Sequence, residues 1–173
     1  MVGQFVDTGK ATIESLLAVA VRLEAGAQRF YQGLAERFSH CPEVAEFWQV
    51  RAADEACHEN RLIQWGASMS AERLAQSADA QMLRMGRKLL GTSVEELLGE
   101  VRNLDDAYET AHDLESSETN TIFRFFITEF SQDARLLAVL MQDLDEHAER
   151  LMTGFPARYT TRAGRAAVQA LRS

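Results

Sequence analysis

The sequence predicts an all-α protein built as a bundle of four long helices. Only 2 prolines and 10 glycines interrupt the 173 residues, and alanine, leucine, glutamate and arginine, which favour helices, are plentiful. Apolar residues recur at helical spacing over four long segments, separated by two short turns and one long connection. The chain is long enough for one domain with a sizeable core.

The first two segments predict a helical hairpin. The first helix runs from about Thr8 to Phe38, where the short turn SHCP breaks the chain. Pro42 suits the first position of the second helix, which runs to about Trp65. Three polar residues lie on the otherwise apolar face of this second helix: Arg51, Glu55 and His58.

The second half predicts another hairpin, reached through a long connection. The connection spans Gly66–Thr92 and holds one or two short helices, the third helix spans Ser93–Glu118, and the fourth spans Asn120–Met152. A short turn, a long crossover and a second short turn are the connectivity of a ferritin-like four-helix bundle. We therefore assign residues 1–155 to the bundle and residues 156–173 to a basic C-terminal tail or short helix.

Composition excludes several classes of function. The net charge is −8 and no basic stripe crosses the main body, which argues against a nucleic-acid partner. Cys41 and Cys57 form no CxxC pair, so a disulfide framework and a four-thiolate metal site are excluded. No signal-type or membrane-spanning apolar run is present, so we expect a cytoplasmic protein with no membrane partner.

The second half of the sequence repeats the pattern of the first. Placing LLAVAVRLE on LLGEVRNLD aligns Glu24 with Asp105, and placing the second helix on the fourth aligns Glu55 with Asp133. Counted from the turns at 1.5 Å per residue, these four carboxylates share one layer of the bundle, within about one helical turn. Each also falls on the apolar stripe of its own helix.

Four facing carboxylates in a dry core require neutralisation. Burying each charge costs several kcal/mol, and mutual repulsion adds to that cost. Two divalent cations would balance them, and known bundles hold such a pair with a Glu from each of two helices and a Glu-x-x-His from each of the others. Glu55 and His58 have that spacing and project to one face.

Two segments carry a family resemblance. LEAGAQRFYQGLAE, with Glu24 and Tyr31, and DEACHENRL, with Glu55 and His58, resemble the first two ligand helices of the rubrerythrin family. The resemblance implies a di-iron oxidoreductase that reduces peroxide or oxidises ferrous iron, takes electrons from a separate donor protein and forms a homodimer. Zinc or manganese would also suit the site. The implied metal ligands are Glu24, Glu55, His58, Asp105 and Asp133, with Tyr31 as a neighbouring hydrogen-bond donor.

The sequence also departs from the family pattern. The family usually carries Glu where Asp105 and Asp133 stand and a second histidine where Leu136 stands, and the CxxC pairs of a rubredoxin domain are absent. A second interpretation therefore stays open. It is a degenerate ferritin-like bundle with one metal or none, serving as a binding or structural oligomer.

Other polar residues receive weaker predictions. Arg51 is expected to pair with Glu129 across the bundle, or with one of the aspartates of the carboxylate layer. The stripe of the third helix places His112 toward the core and Glu115 at a half-exposed position near the turn. The basic tail is expected to be solvated or docked, or else to contact an acidic surface of a second subunit.

Overall fold

The computed structural model describes residues 5–115 and 118–130, together with residues 141–142, 146, 149–151 and 153–161. Within these ranges the chain is mostly helical, and an isolated bridge between Thr12 and Ser77 is the one strand-like pairing. The all-α prediction is confirmed. None of the helices in these ranges combines the length and hydrophobicity that a bilayer crossing requires.

The first hairpin is formed by α1 (Ile13–Arg37) and α2 (Pro42–Ser68). The hydroxyl oxygen of Thr12 accepts a hydrogen bond from the backbone N–H of Ser15 and so caps α1. Pro42 occupies the start of α2, where its missing N–H costs nothing. The two helices pack along each other, because each turns an apolar stripe toward its partner.

The crossover contains two short helices, as predicted, and leads into a third. These are α3 (Ala71–Leu74), α4 (Ala80–Leu89) and α5 (Val94–Glu100), and α5 begins with the predicted capping box between Ser93 and Glu96. Both α4 and α5 pack against α1. The crossover therefore covers the side of α1 that α2 leaves open.

The predicted third helix is not continuous, which corrects the expected span Ser93–Glu118. The chain leaves helical geometry after Glu100 and restarts as α6 (Leu104–Glu115). Val101 is extended and buried, and its carbonyl accepts a hydrogen bond from the Arg37 guanidinium of α1. The side-chain oxygen of Asn103 then accepts the backbone N–H of Asp106 and caps the new helix.

The last described helix, α7 (Glu118–Phe130), packs against α1, α2, α4 and α6. After it, a 3₁₀ turn at Ala157–Tyr159 returns to the bundle. The ring of Phe155 contacts Phe47 at a centroid distance of 5.0 Å, and the Arg158 guanidinium lies 3.0 Å from a carboxylate oxygen of Glu43. The start of the basic tail thus docks on its own bundle, whereas residues 162–173 lie outside the described ranges.

Candidate metal centre

Three metal-binding side chains meet in the interior between α1 and α2. Glu24 projects from the middle of α1, and Glu55 and His58 project from the middle of α2. The Nδ1 atom of His58 lies 3.5 Å from Oε2 of Glu24 and 3.3 Å from Oε2 of Glu55. One donor atom from each residue lies within 4.8 Å of the other two. Glu24 is 2% exposed and the other two are 4% exposed, so water has little access to the cluster.

Burial and mutual charge dominate the electrostatics of this cluster. Burial raises the pKa of Glu24 to about 8, with a further contribution from the charge of Glu55, and the hydrogen bond with His58 only partly offsets them. Burial alone would lower the pKa of His58, but its bonds to the two carboxylates outweigh burial and raise that pKa to about 9. Without a cation, the cluster therefore retains protons near neutral pH.

The donor set fits a divalent metal ion. Carboxylates and imidazole are ligands for iron, zinc and manganese. Donor atoms that bind one ion at about 2.1 Å lie no more than about 4.2 Å from one another. The separations of 3.3 and 3.5 Å around His58 are within that limit. The residues therefore fit a divalent metal ion.

Aromatic side chains shield the cluster. The ring of Phe123, from α7, lies against the His58 ring with a centroid distance of 4.5 Å, and Trp65 contacts Phe123 in turn at 6.0 Å. Phe123 is buried and Trp65 is partly buried. This apolar cover lowers the local dielectric, which strengthens every charge interaction within the cluster.

Tyr31 lies two turns beyond Glu24 on α1, and its hydroxyl donates a hydrogen bond to Oε1 of Glu115 at 2.5 Å. Glu115 is 8% exposed, so the prediction of a half-exposed side chain was wrong. Burial raises the pKa of Tyr31 well above its usual value, and the charges of Glu115 and Glu55 act in the same direction. The Tyr31 ring also stacks on Trp48, with centroids 5.8 Å apart and an interplanar angle of 12°.

A double-mutant cycle measures the buried Tyr31–Glu115 bond. We expect Tyr31→Phe and Glu115→Gln to show a coupling free energy of about 1–3 kcal/mol in denaturant unfolding, because the bond is short and shielded from water. The control pairs Tyr31→Phe with Glu46→Gln, an exposed position on α2, and should give coupling within about 0.5 kcal/mol. If the coupling free energy of the first cycle were no larger than that of the control, the Tyr31–Glu115 bond would contribute nothing to the free energy of unfolding.

Arg51 lies one turn before Glu55, and it is 4% exposed. Its Nη2 atom pairs with Asp54 at 3.0 Å on the same helix, and its guanidinium lies over the Phe47 ring at 5.5 Å. Its predicted partner Glu129 has a side chain outside the described part of the chain. The ion pair that the structure does show was not predicted, although its i, i+3 spacing was visible in the sequence.

One further predicted ligand, Asp105, lies within the described ranges. It is half-buried in the first turn of α6 and is not among the donors that lie within 4.8 Å of one another, so its role as a ligand stays a prediction. The prediction that His112 faces the core was wrong, because its side chain is 49% exposed and lies 3.8 Å from Asp113. Asp133 and Leu136 lie outside the described residues, so their pairing with the cluster stays a prediction.

The buried face of α6 differs from the predicted one. The buried residues of α6 are Leu104, Ala107, Ala111 and Glu115. The predicted stripe ran through Asp105 and His112, which lie one residue, or about 100°, further around the helix than Leu104 and Ala111. Asp105 is accordingly only half-buried, and His112 is exposed.

A helical bundle with a buried carboxylate–histidine cluster is typical of ferritin-like metal proteins. The rubrerythrin family model matches residues 15–154, and the chain belongs to the rubrerythrin family. Comparison with curated proteins and with solved structures finds no match. The matched range contains Glu24, Glu55 and His58, so the family assignment confirms the resemblance seen in the sequence.

Proposed function

We propose that the protein binds iron through Glu24, Glu55 and His58 and acts as a peroxide reductase or ferroxidase-type oxidoreductase. The observation that supports it most directly is the convergence of these three donors in a buried site of a rubrerythrin-family chain. We further propose that electrons come from a separate donor protein and that the protein works as a homodimer. Bound iron would supply the redox chemistry with oxygen or peroxide.

The side chains around the site have roles that do not depend on the identity of the metal. Glu24 and Glu55 provide negative charge, and His58 presents Nδ1 toward both carboxylates. Phe123 limits the access of water to the imidazole. Tyr31 keeps its proton because its pKa is raised, so it serves as a donor to Glu115 rather than as a base.

A second metal position would need Asp105 and Asp133, as the internal repeat predicts. Asp105 is half-buried and does not join the three donors that lie within 4.8 Å of one another, which favours the alternative in which one metal site or none remains. In that case the bundle would serve as a binding or structural oligomer. The stoichiometry of bound metal separates these functions.

Metal analysis tests the proposal. Protein purified without chelator should contain iron, zinc or manganese, and anaerobic loading with Fe(II) followed by hydrogen peroxide should give near-ultraviolet ferric absorption and consume the peroxide. About two irons per chain would indicate the family's dinuclear site, and about one would indicate the single position. Absence of metal, with an unchanged melting temperature after Fe(II) is added, would contradict metal binding altogether.

A further inference from the structure

A cavity of 560 Å³ lies on the side of α1 that faces away from the metal cluster. It is partly open to solvent and is lined by residues of α1, the end of α4, α5 and α6. Gly26, in its wall, follows Glu24 by two residues and so points about 200° around the helix from it. The cavity and the cluster are therefore separated by the thickness of α1, and a ligand can occupy the cavity whether or not the cluster binds metal.

Gly26 is one of two helical glycines in the described ranges, with Gly99, at which an added Cβ would meet open space. At Gly33, Gly66 and Gly86 an added Cβ would collide with a side chain from another part of the chain, so glycine permits close packing there. At Gly26 the nearest atom to an added Cβ is Cγ2 of Val94, at 4.0 Å. Glycine in the interior of a helix costs about 0.5–1 kcal/mol relative to alanine. Close packing does not require glycine at this position, and the absence of a side chain leaves open space in the cavity wall beside Val94.

The walls of the cavity are apolar. Leu23 and Phe30 are buried on α1, while Val94, Leu97 and Leu114 are only partly buried on the facing elements. These three side chains therefore keep apolar surface that the protein itself does not cover. The volume is within the range of about 300–1,000 Å³ that is typical of small-molecule sites.

Three basic and three acidic residues line the cavity, and two of the basic ones flank Gly26 on α1. Arg22 and Arg29 lie four residues before and three residues after it, on the same face of α1, and Lys88 approaches from the last turn of α4. All three are exposed, and none of them has an ion-pair partner among the described residues. The two arginines are about 10 Å apart along the helix, with the gap of Gly26 between them.

The acidic residues of the rim are arranged differently. Glu95 and Glu100 are five residues apart on α5 and so point about 140° away from each other. Asp113, on α6, already lies 3.8 Å from Nδ1 of His112. Glu95 and Glu100 also have no ion-pair partner among the described residues, but they lie on α5, whereas Arg22 and Arg29 lie on either side of Gly26 on α1. The α1 side of the cavity is therefore the positively charged side.

We propose that this cavity binds an amphipathic organic anion, an apolar body that carries a carboxylate or a similar acid. The apolar body fills the space beside Gly26, and the acid lies at the rim near Arg22 and Arg29. A second copy of the chain is a poorer occupant, because a two-fold contact would set one concave surface against another.

The proposal is tested by measuring the binding of dodecanoate. Calorimetry gives the affinity directly, and displacement of the fluorescent probe anilinonaphthalene sulfonate gives it independently. Gly26→Leu should weaken binding at least about tenfold, because its side chain occupies the part of the cavity beside Arg22 and Arg29. Gly99→Leu is the matched control, since Gly99 is exposed, lies outside the cavity lining and has no atom within 4 Å of an added Cβ. The control should bind like the wild type.

Recognition of the acid is tested separately. Arg22→Gln combined with Arg29→Gln should weaken dodecanoate binding about tenfold and leave binding of the neutral dodecanol unchanged. Thermal melts confirm folding, and if Gly26→Leu does not fold, the double arginine variant still tests the proposal. Equal binding by the wild type and the Gly26 variant would overturn the proposal, and so would dodecanol binding as tight as dodecanoate binding. If Gly26→Leu changed the oligomeric state without losing dodecanoate binding, the cavity would be a contact between subunits. That result would also overturn the proposal.

Discussion

Glu24→Gln should abolish tight metal binding while leaving the metal-free protein folded and about as stable as the wild type near neutral pH. The pKa of Glu24 is raised to about 8, so the metal-free side chain holds a proton at pH 7, and glutamine resembles that neutral form in size and shape. A metal ion, by contrast, needs the carboxylate. The substitution therefore separates the ligand role of Glu24 from its packing role.

The loss of affinity should be large. Removing an outer-shell partner of a metal ligand typically costs about 10–100-fold, so loss of a direct carboxylate ligand should cost at least about 100-fold. At a free metal concentration about 1,000 times the wild-type Kd, binding stabilises the fold by about 4 kcal/mol, and a 100-fold weaker site leaves about 1.4 kcal/mol. Thermal melts with and without Zn(II) measure this difference directly.

The matched control is Glu46→Gln, which makes the same chemical change at an exposed position of α2. It should keep the full metal-induced rise in melting temperature. If Glu24→Gln kept that rise as well, Glu24 would not be a ligand. If Glu24→Gln were unfolded without metal, the premise that Glu24 is neutral in the metal-free protein would be wrong.

The first hairpin and its cluster could be predicted from sequence because the signals are local. Glu55 and His58 are three residues apart on one helix, and the helical period places them on the same face as the apolar stripe. Counting residues from the short turn then brings Glu24 to the same depth on α1. The structure places these three side chains within reach of one another, as the count predicted.

The second half was harder to predict because its geometry depends on contacts between distant residues. The break before α6 is stabilised by Arg37, which donates to the carbonyl of Val101 across 64 positions of sequence. The Asn103 cap is a local signal, but the continuous apolar stripe concealed it. Glu115 was misjudged for a similar reason, because its burial depends on Tyr31, which lies 84 positions away.

The metal-free protein should lose stability as the pH rises from about 5 to about 9. The pKa of Glu24 is raised from 4.5 to about 8 and that of His58 from 6.5 to about 9, so the folded state holds both protons more tightly than the unfolded state does. Unfolding then releases protons, and stability falls as the pH rises through these ranges.

In the acid range the pKa of Asp7 is lowered to about 2, mainly by its hydrogen bond with Arg87, so the stability from that pair is lost as the pH falls below about 4.

Bound metal should reverse the dependence of stability on pH above neutral pH. Binding requires deprotonated ligands, so protons compete with metal less as the pH rises, and metal-induced stabilisation should grow from pH 5 to pH 8. Melting temperatures measured at constant ionic strength, with chelator and with Zn(II), should therefore diverge with pH, by about 2–4 °C for each kcal/mol in a domain of this size. Glu24→Gln should flatten the chelator curve, because one of the two titrating groups is gone. A chelator curve for the wild type that stays level or rises between pH 6 and pH 9 would show that the buried cluster does not hold its protons. In that case the electrostatic reason for it to take up a cation would be lost.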